Sequence, residues 1–449
     1  MTTVSDAATT SWKITKEARR REIEGYASAA SVNRGESVSV YVSTKSSKYD
    51  AQVYRVGWYG GKGGLFKQDL KNLTGTNQSF KTVYDRTTTM TRCVWDVSFT
   101  LNTEGWETGI YLIKLTEQDA GFQQYAYFIV RDDSLTTDIT FVSSTMTMHA
   151  YNNWGGKSLY ASSSSERIPA LAISYDRPYA RTYNSAGAGQ FFAWEIKAVR
   201  FLERFGYKVR YIADRDLHHQ VVTQSKLVVI AGHCEYWTSV MRKNFVATLE
   251  GGVNSLIMGA NTCYWQVRFE GDGRTMVAYK ERSANDPVRD ENSITCQFKT
   301  LGLPEETIVG SRYAGVVGNS LPYSMKVDTK TAPAWMLDCI PYDSSSRYIE
   351  LPAHLGYEVD HMTNRSPKTA VAWATSTATT TGGAPVTSHA TWCTYPAQMG
   401  SSAYTVVNTG TMNWNFGLDA TGFAPFGDVT NDITGAITLN ILRYLLRTE

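Results

Sequence analysis

The chain has 449 residues, 42% hydrophobic and 19% charged, with a formal net charge of +2. That length exceeds one ordinary core and points to two domains, while the near-neutral charge gives no field favouring nucleic acid or an anionic membrane. No apolar run approaches the ~20 residues a membrane span needs, and the six cysteines contain no CxxC pair, against a zinc ribbon or a disulfide scaffold.

The first ten residues are polar and lack the apolar core of a secretory signal. The expectation is a cytoplasmic protein, or one exported without a cleavable signal peptide. Residues 1–25 read as an arm. Basic residues cluster between Lys13 and Arg21, but Glu17, Glu22 and Glu24 interrupt or flank them, the pattern of a solvated face. Short segments of alternating character follow at 37–42, 51–56, 94–99, 109–115 and 125–130. Turn signals such as Gly60-Gly61, Thr74-Gly75-Thr76-Asn77 and Glu104-Gly105 separate them, with no helical period between. This predicts an immunoglobulin-like β-sandwich over residues 26–133, in architecture only, because no Cys-Trp-Cys frame is present.

The polar segment Arg131-Asp132-Asp133-Ser134 marks the boundary. Beyond it, candidate strands at 140–142, 171–174, 208–212, 227–231 and 255–258 alternate with helices. Phe191, Trp194, Ala198, Leu202 and Phe205 fall at three- and four-residue steps and predict one amphipathic helix over 190–205. Thr238 can cap a second, ended by Gly251-Gly252. The alternation predicts an α/β domain over 134–449 with a mostly parallel sheet, glutamine-amidotransferase-like. Residues 374–387, rich in Thr, Ala and Gly, read as an exposed loop. Thr430 can cap a last helix with Ile433, Ile437, Ile441 and Leu445 on one face.

In an open parallel sheet, ligands bind beyond the carboxyl ends of the strands. Gly232-His233-Cys234-Glu235-Tyr236-Trp237 and Gly259-Ala260-Asn261-Thr262-Cys263-Tyr264-Trp265 both start with Gly at such an end and close with Tyr-Trp. Strands close in sequence often pair, so the two loops should face each other. His233 and Glu235 suit a metal ligand with its partner, or a base with its orienter. The plainer alternative is a histidine satisfied by backbone and a glutamate capping the next helix. Cys234 sits where a nucleophile elbow would place it, but bulky Glu235, Tyr236 and Trp237 follow, so a buried, inert thiol is expected. The loops 149–160 and 174–179 are dense in polar and aromatic groups. Any one phenol there reads as a wall residue, and Asp176 with Arg177 as a structural ion pair.

Six stretches carry a further reading: AYNNWGGKSLY from Ala150, SYDRPY from Ser174, FLERFGYKVRYIADRDLH from Phe201, GHCEYW from Gly232, GANTCYWQVR from Gly259 and GYEVD from Gly356. In identity and order they resemble the large subunit of N,N-dimethylformamidase and its relatives, over residue 140 to the C-terminus. Relatives often carry an immunoglobulin-like module similar to residues 26–130. The resemblance implies one mononuclear ferric iron held by Tyr151, Tyr179 and Glu235, with Tyr160 the substitute if the motif alignment slips. It implies His233, Asn261 and Glu358 as catalytic residues. The implied activity is an amidohydrolase acting on a small-molecule amide or related C–N bond, with the carbonyl polarised by the metal and attacked by water activated there. One departure is Cys234, where relatives usually have aspartate. A reading from another class stays open: a non-catalytic binding or structural component of a surface or larger assembly. In either reading the immunoglobulin-like module is a candidate surface for homo-oligomer formation or assembly.

Overall fold

The computed structural model describes residues 7–181, 186–318, 321–423 and 425–447; the first six residues of the arm lie outside this set. In the N-terminal part, a six-stranded sheet runs in the order Ala8–Thr9, Gly64–Thr74, Lys48–Val56, Gly109–Glu117, Gln123–Arg131, Ser31–Asn33. It faces a three-stranded sheet of Ile23–Ala27, Ser37–Thr44 and Phe99–Asn102. The period-two pattern explains the packing. Val38, Val40 and Val42 point inward and meet Val53, Ile113, Leu115 and Phe128 in one cluster, each such side chain contributing roughly 1.5–3 kcal/mol on full burial.

Residues 94–98 form no strand: Val94 and Val97 are exposed and Trp95 is the buried side chain. The Gln78 amide takes the place of a strand partner, accepting from the Asp96 N–H at 2.7 Å and donating to the Asp96 carbonyl at 3.1 Å. Near the start of the described chain, Ala8–Thr9 pairs with Gly64 and Leu65, and Trp12 is buried.

The second half departs from the mostly parallel α/β domain that the alternation predicts. Its nine-stranded sheet is mixed, in the order Val209–Ala213, Thr137–Ser143, Ser225–His233, Asn254–Ala260, Tyr404–Asn408, Pro385–Tyr395, Val371–Thr379, Met325–Asp328, Tyr348–Leu351. The first five strands are mutually parallel, and every later pairing is antiparallel. The other sheets are small, and strands far outweigh helices along the chain. A glutamine-amidotransferase-like architecture is therefore not what forms. Much of the antiparallel half comes from the Thr/Ala/Gly segment expected as a loop. Within Val371–Thr379, Ala374, Ser376 and Ala378 are buried while Thr377 and Thr379 face solvent, which is strand alternation written in small residues.

Two helix expectations also change. Residues 190–205 form two pieces, Phe191–Trp194 and Ile196–Arg204, joined at Glu195. The buried Glu195 carboxylate accepts from Ser143 Oγ at 2.7 Å and the Ser144 N–H at 2.8 Å, tying the joint to the neighbouring strand end. The last helix, Asp432–Leu445, is capped by Asn431, whose side chain accepts from the N–H groups of Ile433 and Thr434; the Thr430 hydroxyl turns to Asp428 instead. Thr238 caps Ser239–Glu250 as its position suggests.

One apolar cluster crosses from the first half to the second. Trp12, Tyr54, Ile110 and Tyr127 pack in it with Phe191, Phe192, Phe201 and Tyr211. Polar ties reinforce the seam: Arg55 to Glu203 at 2.9 Å, Tyr127 to Ser143 at 2.8 Å, and the Ser31 hydroxyl and Arg131 guanidinium to Asp216. Among the described residues, no helix is long and apolar enough to cross a membrane.

Candidate active site

Ser225–His233 and Asn254–Ala260 pair in parallel, His233 opposite Ala260, so the two Gly-led loops leave the same edge side by side. The opening glycines are required there. Gly232 has φ +74° and lies against Trp194, while a side chain on Gly259 would collide with the Gly232 carbonyl. The loops then cross-bond: the Cys234 carbonyl accepts from Cys263, and the Glu235 carbonyl from Tyr264 and Trp265. Tyr236–Thr238 pairs in parallel with the start of Trp265–Glu270, fixing both Tyr-Trp pairs.

Glu235 is the hub. Its backbone N–H donates to Thr147 Oγ1 at 2.9 Å, and its carboxylate accepts from the Tyr151 hydroxyl at 3.0 Å. The Tyr160 hydroxyl lies 3.1 and 3.0 Å from the two carboxylate oxygens and 2.8 Å from the Tyr151 hydroxyl. The Tyr151 and Tyr160 rings stack with centroids 4.3 Å apart. His233 Nε2 stands 3.2 Å from Glu235 and 3.1 Å from Glu358. These are charge contacts without hydrogen-bond alignment, since Nε2 has no aligned partner. Asn261, at φ +56°, donates its backbone N–H to Asp360 and its amide to Glu358, both at 2.8 Å, and its Oδ1 is buried without a hydrogen-bond partner. The structure thus brings Tyr151, Tyr160, His233, Glu235, Asn261 and Glu358 together.

Tyr179 lies elsewhere. Its ring packs at 4.4 Å on His149, in a small separate cleft with Tyr127, Tyr175 and Arg177, because the 174–179 loop is pinned to the other side of residue 149. Tyr160 occupies the place in the cluster that the motif reading gave to Tyr179. Asp176 and Arg177 do not pair with each other. Asp176 binds Arg274 at 2.6 Å, while the buried Arg177 guanidinium donates to the carbonyls of His149, Trp154, Lys157 and Ser174. That fan of bonds clamps the chain just after the helix Thr145–Tyr151, of which Tyr151 is the last residue.

Burial, with Glu235 next, pushes the phenols of Tyr151 and Tyr160 well above their ordinary range. Burial opposes charge on His233, but Glu358 and Glu235 outweigh it and move the imidazole upward. Burial would likewise raise Glu235, and the His233 contact overcomes this and holds it low. Cys234 is fully buried, and burial pushes its thiol far above the ordinary range.

Several participants carry no signal that sequence reasoning used. The Tyr236 hydroxyl donates to Tyr160 at 2.6 Å, and Lys280 Nζ donates to the Tyr236 hydroxyl at 3.2 Å while lying 3.7 Å over the Tyr160 ring. Tyr236 stood in plain view inside a motif; Lys280 comes from a segment with no motif at all. Among the described residues, no group of three or more His, Cys, Asp or Glu side chains has metal-holding geometry, so any metal ion here would depend on the phenols.

The family model described as N,N-dimethylformamidase beta subunit-like, C-terminal, matches residues 50–430. No curated protein matches the chain.

Proposed function

Because this chain belongs to the N,N-dimethylformamidase beta subunit-like family, we propose that it is a hydrolase cleaving the C–N bond of a small-molecule amide at the Tyr151–Tyr160–Glu235 cluster. The observation that carries the reading is the convergence of two half-buried tyrosines and a buried carboxylate within 2.8–3.1 Å of one another. Three hard oxygen donors of this kind fit a mononuclear ferric iron. Phenols driven so far up by burial ionise only beside a strong compensating cation. When bound, iron would supply Lewis-acid polarisation of the amide carbonyl and acidify water at neutral pH.

The remaining work falls to the protein. Tyr151, Tyr160 and Glu235 would hold the metal. Lys280 and Tyr236 back Tyr160 from behind and fix its ring. Asn261 orients Glu358 through its amide. His233, between Glu235 and Glu358, completes a proton path, and Glu358 or His233 delivers the proton to the departing nitrogen.

The test uses protein expressed in iron-replete medium. Phenolate-to-ferric charge transfer should colour it, chelation should bleach it, and N,N-dimethylformamide should yield dimethylamine. Glu235→Gln keeps the shape, removes the ligand charge, and should sharply cut both iron and turnover. Colourless protein without stoichiometric metal, or coloured protein inert toward amides, would sink the reading.

A further inference from the structure

The cavity beside the cluster is large for a simple dialkyl amide. It encloses about 590 Å³, within the range of pockets that hold drug-sized ligands. Away from the phenol–carboxylate cluster, one part of its wall is polar, with Ser162, Ser163, Lys280 and Glu281, and another is aromatic: Tyr264, Trp265, Tyr313 and Tyr357, with Val316 among them. Tyr264, Tyr313 and Tyr357 are half-buried, each keeping part of its surface accessible. Two of the rings are braced against their neighbours. Tyr264 stands edge-on to Trp265 at 5.0 Å and 89°, and Tyr313 meets Tyr264 at 5.4 Å and 66°. A group of aromatic surfaces held around one concavity favours a flat apolar partner.

The position of this wall selects which end of the amide it meets. Tyr313 and Val316 lie on Arg312–Val316, which pairs antiparallel with Glu358–His361, Val316 opposite Glu358; Tyr357 precedes Glu358 directly. The aromatic surface therefore flanks Glu358, one of the two groups assigned to the departing nitrogen. The acyl carbon, by contrast, belongs at Tyr151, Tyr160 and Glu235. We propose that the substrate class is an N-aryl amide, an anilide, whose aromatic amine portion stacks on Tyr264, Tyr313 and Tyr357. This rests on the amidohydrolase reading and narrows it. In the reaction, water oxygen bonds to the acyl carbon, the C–N bond breaks with its electron pair going to nitrogen, and a proton joins that nitrogen. The products are a carboxylic acid and an aromatic amine, with no oxidant or reductant involved.

The experiment compares N-methylformanilide with N,N-dimethylformamide on the full-length, iron-loaded protein. A stacked aryl group should raise kcat/KM about tenfold or more, the scale of one good aromatic contact. Tyr264→Leu, checked for native unfolding temperature, should lower the formanilide-to-dimethylformamide ratio of kcat/KM about tenfold. A binding measurement independent of turnover follows tryptophan fluorescence while N-methylaniline is titrated into metal-free protein. Saturable quenching, weakened by Tyr264→Leu, supports the assignment. Dimethylformamide turnover with an equal or lower kcat/KM for the formanilide overturns the anilide assignment and leaves the amidohydrolase reading standing. Turnover of neither substrate by coloured protein removes both. Absence of saturable N-methylaniline binding also overturns the aromatic subsite.

Discussion

Arg177→Met tests whether the guanidinium clamp sets the geometry of the candidate active site. The native side chain makes four hydrogen bonds to backbone carbonyls, at 3.1 Å to Ser174, 3.2 Å to Trp154, 2.8 Å to Lys157 and 3.2 Å to His149. Charged donors of this kind contribute ~1.5–2 kcal/mol each at these lengths, so the set is worth ~6–8 kcal/mol before offsets. Burial of the charge works the other way. It lowers the Arg177 pKa from 12.5 to about 10, and at ~1.4 kcal/mol per unit this takes back ~3 kcal/mol. Methionine keeps most of the length and removes both effects, so the expected net loss is ~3–5 kcal/mol, with the carbonyls left unpaired inside the fold. Urea unfolding of metal-free protein should show a lower midpoint at unchanged m-value. Limited proteolysis should open new cuts between residues 149 and 167, and iron loading should fall because Tyr151 ends the helix whose last turn the clamp holds. Arg177→Lys should recover little, since a point charge cannot span four carbonyls set around a plane. A stability loss under ~1 kcal/mol with loading intact would refute the argument, because that is the scale of an unremarkable surface change.

Tyr160→Phe should strip colour and iron from the protein, whereas Tyr179→Phe should leave both; the opposite result would restore Tyr179 as the ligand and place Tyr160 in the wall. Cys234→Ser should keep amide turnover within about an order of magnitude, since loss of a true nucleophile is far more damaging; labelling of Cys234 by a substrate-like electrophile with matching inactivation would contradict this. Glu195 is raised by burial to about 8 from an ordinary 4.5. The folded state therefore favours its protonated form, and the stability this contributes is complete below pH 4.5 and lost as pH rises through 8. Glu195→Gln should flatten that decline in unfolding free energy between pH 4.5 and 8, and an unchanged slope would show that Glu195 is ionised in the fold.

The sequence carried the parallel edge well because its signals are dense there. Uninterrupted apolar runs ending at Ala231 and Met258, each followed by Gly, place two strands side by side and two polar loops beyond them. It carried the antiparallel half of the same sheet poorly. Val371–Thr379 hides its alternation in Ala, Ser and Thr, whose small hydropathy differences resemble a loop, and the sheet therefore read as mostly parallel. The site followed the same rule. Glu235, His233 and Asn261 are marked by strand-end position and motif, and Glu358 and Tyr151 by motif alone. Tyr179 and Tyr160 could not be told apart, because a motif fixes where a ring is attached and not the side toward which its loop turns it. Lys280 reaches the cluster only through tertiary folding, at a residue with φ +58° that no local pattern announces.

The apolar cluster running from Trp12 and Tyr54 through Phe192 to Phe201 has a thermodynamic consequence for the molecule as a whole. Two bodies joined by a polar tether melt separately, each with its own enthalpy. Here the face of the first sheet is covered by side chains of the second half, and neither can be uncovered without exposing the other to water. A calorimetric scan should accordingly show a single endotherm whose van't Hoff and calorimetric enthalpies agree. Any change that loosens residues near Phe192 should be felt as a fall in the melting temperature of the N-terminal strands together with the second half.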